Sequence, residues 1–334
     1  MTLGLPDLLR LSKLNTQVAQ VKRDADRARI EVVTGRIEDL TKASRGDVGG
    51  LHILRKAIDD SQGYQQTLTL SGTRAERTQR VLDTLNKDTS RLATDVFNYV
   101  GVGDDSGMKG AAADADGALR LVFANLNTDA GGRALFSGDR GDQSPLGDVD
   151  QLLSDVRTIV GGAADAAAAE TALDQYFNDP AGGFATTIYQ GGTGDAAPVE
   201  LAPGVKINAS LRADQQPFRD LIRGLAVVAS YETTPVAGGA ARDTLVRSAA
   251  DRLLQTETKI TDMRSELGVA ENRIAQRIDE LKTEEQTLTS LYNSRTTRDP
   301  YEAASELQLL QSQLEASYLI TSKLSQLSLT QYLR

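Results

Sequence analysis

Between Val246 and Leu288 apolar residues recur at every seventh position: Val246, Leu253, Ile260, Leu267, Ile274, Leu281 and Leu288. A repeat of seven keeps one narrow apolar stripe on the same side of a helix that winds slowly around its neighbours. The intermediate positions, Ala249, Thr256, Met263, Ala270, Arg277, Glu284 and Leu291, are small near the start and charged toward the end. That seam is one-sided, as in a helix lying in a bundle rather than in an isolated two-stranded zipper. A helix of roughly fifty residues would be on the order of 75 Å long, which no compact sphere accommodates.

The same reading extends along the chain. Leu11, Leu14, Val18, Val21, Ala25, Ala28 and Val32 alternate steps of three and four and predict an N-terminal helix. Gly35 and the segment Thr41–Gly50 mark a break. A second helical region spans about Leu51 to Val100, striped by Leu54, Ile58, Leu68, Val81, Leu85, Leu92, Val96 and Tyr99 and weakened at Gly63 and Gly72. Residues 101–110, GVGDDSGMKG, have the composition of a loop, and a third helix is predicted from about Ala111 to Asn127. From Gly131 to about Arg212 the heptads vanish. Thr186–Tyr189, Val199–Leu201 and Val205–Ala209 predict short strands between glycine-rich turns, and Asp165–Phe177 a short Ala-rich helix. Pro217 opens a helix over Phe218–Ala229, and a loop at 233–240 leads to Asp243 as N-cap of the long helix, expected to end near Arg295. Asp299 as N-cap, Pro300 at the first helical position and Glu302 three residues after the cap start the last helix. It carries Leu307, Leu310, Leu314, Thr321, Leu324 and Leu327.

The expected fold is mainly α: a long coiled-coil-like bundle pairing the N- and C-terminal helices, with a small α+β domain inserted at its tip. Residues 1–45 form an N-terminal assembly helix, 46–130 and 213–298 the two halves of a helical core, 131–212 the α+β outer domain, and 299–334 a C-terminal assembly helix. Exposed heptad stripes at both ends of a chain suggest association between copies.

Composition narrows the function. With no Trp and 4% aromatics, the core is built from Leu, Ile, Val and Ala, which suits long helices. No cysteine is present, so disulfides and thiolate metal sites are excluded. A net charge of −9 with Lys and Arg interleaved among Asp and Glu argues against a nucleic-acid partner. No run of about eighteen apolar residues appears, so no helix is expected to insert in a membrane. The N-terminus, MTLGLPDLLRLSK, is interrupted by Pro6, Asp7 and Arg10 and is predicted to carry no cleavable signal peptide.

Candidate chemistry is thin. His52 is the only histidine, which rules out a two-His metal site within one chain. Asp114 and Asp116, and Asp139 and Asp142, lack the spacing of a calcium loop and are read as turn-forming aspartates. Gly101, Gly103 and Gly107 lack a preceding strand and the spacing of a phosphate loop. Arg140, Gly141 and Asp142 spell an adhesion tripeptide that arises easily by chance in a glycine-rich loop. No serine with a base and no carboxylate pair stands out, so neither catalysis, cofactor nor metal is expected.

Several segments match a known pattern. DPYEAASELQLLQSQLEASYLITSKLSQLSLTQYLR, Asp299–Arg334, resembles the C-terminal region of the flagellin superfamily, and its SLTQYL close is most similar to the hook-filament junction proteins, the third hook-associated proteins of bacterial flagella. ELGVAENRI, Glu266–Ile274, resembles a segment of the long C-terminal core helix of that family. RALFSGD, Arg133–Asp139, resembles the LFSG motif at which junction proteins enter their outer domain, and TGRI, Thr34–Ile37, their turn after the first helix. After TGRI the chain departs from the pattern, with KASRGDVGG in place of an aspartate-rich, proline-containing segment. The resemblance implies a non-catalytic, extracellular subunit, exported unfolded through the flagellar type III channel with an export chaperone. Its partners would be copies of itself in a ring, a neighbouring hook-associated protein and flagellin, with a short filament-forming flagellin as the alternative. Assembly contacts are expected at Leu11, Leu14, Val18, Val21, Leu314, Leu324, Leu327 and Tyr332. From a different class, the insert could serve as a binding or glycan-processing module.

Overall fold

The computed structural model describes residues 5–39, 41, 48–233 and 239–332. Its helices are α1 (Leu5–Thr34), α2 (Val48–Val102), α3 (Asp105–Leu126), α4 (Val149–Gly162), α5 (Ala166–Asn178), α6 (Gln216–Ala229), α7 (Gly239–Thr296) and α8 (Pro300–Tyr332). One antiparallel hairpin, β1 (Val199–Ala202) and β2 (Val205–Ile207), accompanies them. The fold is mainly α, as the heptads predict. Two compact units result, one of residues 65–280 and one of residues 1–64 with 281–334.

In the larger unit the seven-residue repeat lies inside the core. Val246, Leu253, Ile260, Leu267 and Ile274 are all buried, as are the small intermediate residues Ala249, Thr256 and Ala270. The charged intermediate residue Arg277 leaves the seam, and its Nε donates to Leu201 O at 2.9 Å. Helix α2 supplies the facing stripe with Leu68, Ala75, Leu82, Leu85, Thr89, Leu92 and Val96. Polar side chains cross between the two. Gln79 Nε2 donates to Arg264 O at 2.7 Å, Asn86 Nδ2 to Thr261 Oγ1 at 3.1 Å, and Arg264 pairs with Asp83 at 3.0 Å. Partners fall in number along α7 as they rise along α2, so the helices are antiparallel.

Helix α6 lies at the centre of this unit, with Phe218–Val228 buried apart from Arg219. It packs on α3, α4, α5 and α7. A Cβ added at Gly224 would stand 2.7 Å from Leu253 Cδ2, so glycine is what lets α6 approach α7. Two charged residues are buried with it, and both are paired. Arg223 meets Glu170 and, at 3.1 Å, Asp174; Asp220 accepts from Lys259 at 2.8 Å and Arg252 at 3.2 Å.

The chain enters and leaves residues 131–212 at one crossing. Phe136 is fully buried and meets Phe218 edge-on at 5.7 Å, Ala213 N donates to Phe136 O at 2.9 Å, and Ser137 pairs across the crossing with Arg212. Gly138 has φ +60, and a Cβ there would stand 2.3 Å from Gly194 O. The LFSG segment is therefore where the chain leaves the helices and comes back to them.

Three expectations need correction, and one helix was not expected. Residues 101–110 are not a loop. A two-residue turn with Gly103 at φ +71 suffices, because Asp104 caps α3 by accepting from Gly107 N at 2.9 Å. Thr186–Tyr189 is not a strand: Phe184–Ile188 forms a π-helical turn, its Phe184 and Ile188 buried against α4 and α5. Asp243 is not an N-cap, since α7 already starts at Gly239, and Thr244 Oγ1 donates back to Ala240 O at 2.8 Å. Helix α4 was not foreseen, although Asp148 caps it and Leu152, Leu153, Val156 and Val160 give it a buried face. The rest of the expected loop at 233–240 and of the break at 41–50 falls on residues 234–238 and 42–47, which lie outside the described residues.

Two outcomes follow for this unit. Ile260→Ala removes a fully buried side chain and is expected to cost about 2–5 kcal/mol in denaturant unfolding, whereas Val269→Ala, at an exposed site, changes stability by less than about 0.5 kcal/mol. Asp220 sets an acid limb. Burial pushes its carboxyl up, but the hydrogen bonds from Lys259 and Gln216 and the charges of Lys259 and Arg252 outweigh this and hold it below the ordinary 3.8. A carboxyl depressed in the folded state contributes stability above its unfolded value that is lost as pH falls through the folded one. Urea midpoints are therefore expected to fall on acidification below about pH 4. Asp220→Asn should lower the neutral-pH midpoint and flatten that fall.

Candidate assembly interface

In the smaller unit α1 packs along α8, and the contact begins at a polar clasp. Gly35, at φ +66, ends α1. Ile37 N donates to Thr296 O at 2.8 Å and Arg298 N to Gly35 O at 3.0 Å, so two connecting segments pair like a minimal sheet. Arg298 then reaches Glu31 at 3.6 Å, Glu302 at 3.8 Å and Glu306. Glu31 is buried, and its other oxygen accepts from Glu38 N at 3.1 Å. Asp299 caps α8 by accepting from Tyr301 N and Glu302 N at 2.8 and 3.1 Å, as the start signals predict.

From the clasp the helices run antiparallel, and their facing stripes keep the heptad steps. Beside the clasp the stripes are small and fully buried, at Ala28 and Ala303. Farther along, Leu14, Val18, Val21, Leu307, Leu310 and Leu314 are only half-buried. Two helices cover one stripe of each other and leave the flanks open. Those flanks are apolar here: Tyr301, Leu309, Tyr318, Leu319 and Ile320 on α8 and Ile30 and Val33 on α1 are exposed, Val33 to 81% and Leu309 to 59%. Below the clasp α2 meets α7, where Ser61 Oγ donates to Leu281 O at 3.2 Å and Gln62 to Glu285 at 2.6 Å. Leu288 is half-buried and Glu284 exposed, so the repeat weakens toward its end.

Of the residues expected to carry assembly, the structure places Leu14, Val18, Val21 and Leu314 on the stripes that face each other within one chain. The side chains of Leu11, Leu324, Leu327 and Tyr332 lie outside the described residues. Sequence reasoning missed the clasp. Its signal was present as Arg298 just before a helix cap, with Glu302 and Glu306 following at steps of four.

The discounted motifs have structural roles or none. Gly141 of the Arg-Gly-Asp tripeptide is buried, and a Cβ there would stand 2.7 Å from Arg133 Nε. Gly107 admits the Tyr99 ring, which a Cβ would meet at 2.4 Å. Asp116 pairs with Arg120 at 2.9 Å, and His52 is exposed on α2. Among the described residues no group of three or more acidic or histidine side chains could hold a metal ion, and no helix is long and apolar enough to cross a membrane.

Arg298→Ala would strand the buried Glu31 carboxylate and is expected to cost about 1–3 kcal/mol. Amide hydrogen exchange reports it as faster exchange at Glu31, Ile37 and Glu38, with the larger unit unchanged.

The sequence over residues 251–333 matches the family model of the bacterial flagellin C-terminal helical region. A search of curated proteins finds no match. Among solved structures, the fold is similar to that of a Vibrio parahaemolyticus protein described as a flagellar hook-associated protein, with 14% identity over 74% of this chain and 96% of that one and a TM-score of 0.51. Bacillus cereus FlgL also aligns, at 16% identity over 74% of this chain and 97% of that one, with a TM-score of 0.40. Residues 251–333, carried on α7 and α8, are thus similar to the C-terminal helical region of bacterial flagellin.

Proposed function

We propose that this protein is a structural subunit of the bacterial flagellum, and specifically an adaptor that joins hook to filament. The observation that carries the proposal is the paired terminal helices, whose apolar flanks stay exposed in a single chain. Burying one such side chain contributes roughly 1.5–3 kcal/mol, so neighbouring copies that set their own α1–α8 pairs against Leu309, Leu319, Ile320 and Val33 gain a cooperative contact. Leu11, Leu14, Val18, Val21, Leu314, Leu324, Leu327 and Tyr332 line the inner layer of the resulting ring. Similarity to a protein described as hook-associated supports the flagellar setting, and the SLTQYL close and LFSG crossing support the junction over a short filament-forming flagellin. The chain leaves the cell through the flagellar type III channel with an export chaperone and meets a hook-associated neighbour on one side and flagellin on the other. No step of this role uses catalysis, a cofactor or a metal.

Immuno-electron microscopy of detached flagella is expected to show one short labelled zone between hook and filament; labelling along the whole filament would indicate a flagellin instead. A deletion strain should secrete unpolymerised flagellin. Complementation with Leu309→Asp/Ile320→Asp is expected to leave that phenotype in place, although circular dichroism of the purified variant matches the parent.

A further inference from the structure

In the larger unit a cleft of about 330 Å³ opens between one face of α2, the Arg133–Gly141 loop and the β1–β2 hairpin. That volume lies in the range of small-molecule sites, which span roughly 300–1,000 Å³. Its walls combine hydroxyls of Thr67 and Ser71 on α2 with apolar surface from Leu135, Pro198 and Val199. Two guanidinium groups stand on it. Arg74 Nε is shut off from solvent with no acceptor in reach, and no carboxylate among the described residues pairs with Arg74 or Arg133. Arg223, Arg252 and Arg264, by contrast, each meet a carboxylate. Arg133 lies over Gly141, where a side chain would displace it, so the glycine holds this charge at the cleft. A buried N–H without an acceptor is costly and is answered when one arrives.

We infer that this cleft is a binding site for a small organic carboxylate with an apolar body. A planar carboxylate matches the guanidinium fork, and the apolar wall covers what the carboxylate is attached to. Glu200, which also lines the cleft, penalises a doubly charged phosphate more than a singly charged carboxylate. The site is independent of the terminal helices, so its fate does not bear on the assembly role.

The test is a titration of the full chain with benzoate and, separately, with inorganic phosphate, followed by arginine Nε–Hε resonances and by calorimetry. The expected result is a saturable benzoate shift at Arg74 that phosphate does not match. Affinity should weaken about tenfold or more in Arg74→Gln and in Arg133→Gln, but stay unchanged in Arg91→Gln, at an exposed site on the same helix. Arg133→Gln, on the loop, preserves the test if Arg74→Gln unfolds. An unsaturable response, an equal response to phosphate, or an affinity unchanged from the parent in both cleft variants overturns the assignment.

Discussion

A pair of helices can bury one stripe on each member and no more. Everything in this molecule follows from how that constraint is met in its two units. In the larger one the α2–α7 pair is roofed by other elements, and α6 is buried on nearly every side. In the smaller one the α1–α8 pair has apolar flanks that no described element covers. The same kind of seam thus gives a finished core in one place and an open surface in the other. The open surface is the part of the molecule left for a partner to cover.

Register in such seams is set by polar residues. Leucine and alanine stripes tolerate sliding by a heptad, because each rung resembles the next. Asn86 on Thr261 and Asp83 on Arg264 have no equivalent partner one heptad away, where Leu254 or Gly268 and Glu257 or Glu271 stand. The clasp does the same for the terminal helices, where Arg298 ties the end of α1 to the start of α8 before the apolar stripe begins.

Glycine and charge decide how the inserted segment joins. Its two ends meet at Phe136, Ser137, Arg212 and Ala213, so a long excursion costs the helical core only a single crossing. Arg223 and Asp220 keep their charges inside because α5 and α7 bring opposite ones to them. No described carboxylate is brought to Arg74 and Arg133 in this way.

The sequence alone determined the helices that carry the fold. Seven-residue spacing, the Asp299-Pro300 start and the glycine-dense middle are local signals, and local signals are set by backbone geometry and side-chain pattern. It also carried the flagellin resemblance, since SLTQYL and LFSG are contiguous strings. Only the tertiary structure decided the rest. Thr186–Tyr189 alternates like a strand but lies in a π-helical turn, because burying Phe184 and Ile188 against α4 and α5 outweighs local preference. Residues 101–110 have loop composition yet are mostly helical, because Asp104 caps a helix and Gly107 admits Tyr99. The clasp and the cleft join residues more than fifty positions apart, and no spacing along the chain reports such a meeting. Which apolar residues stay exposed is likewise a property of packing: Leu309 and Leu310 are neighbours in sequence, and only the position of α1 makes one a seam residue and the other a surface.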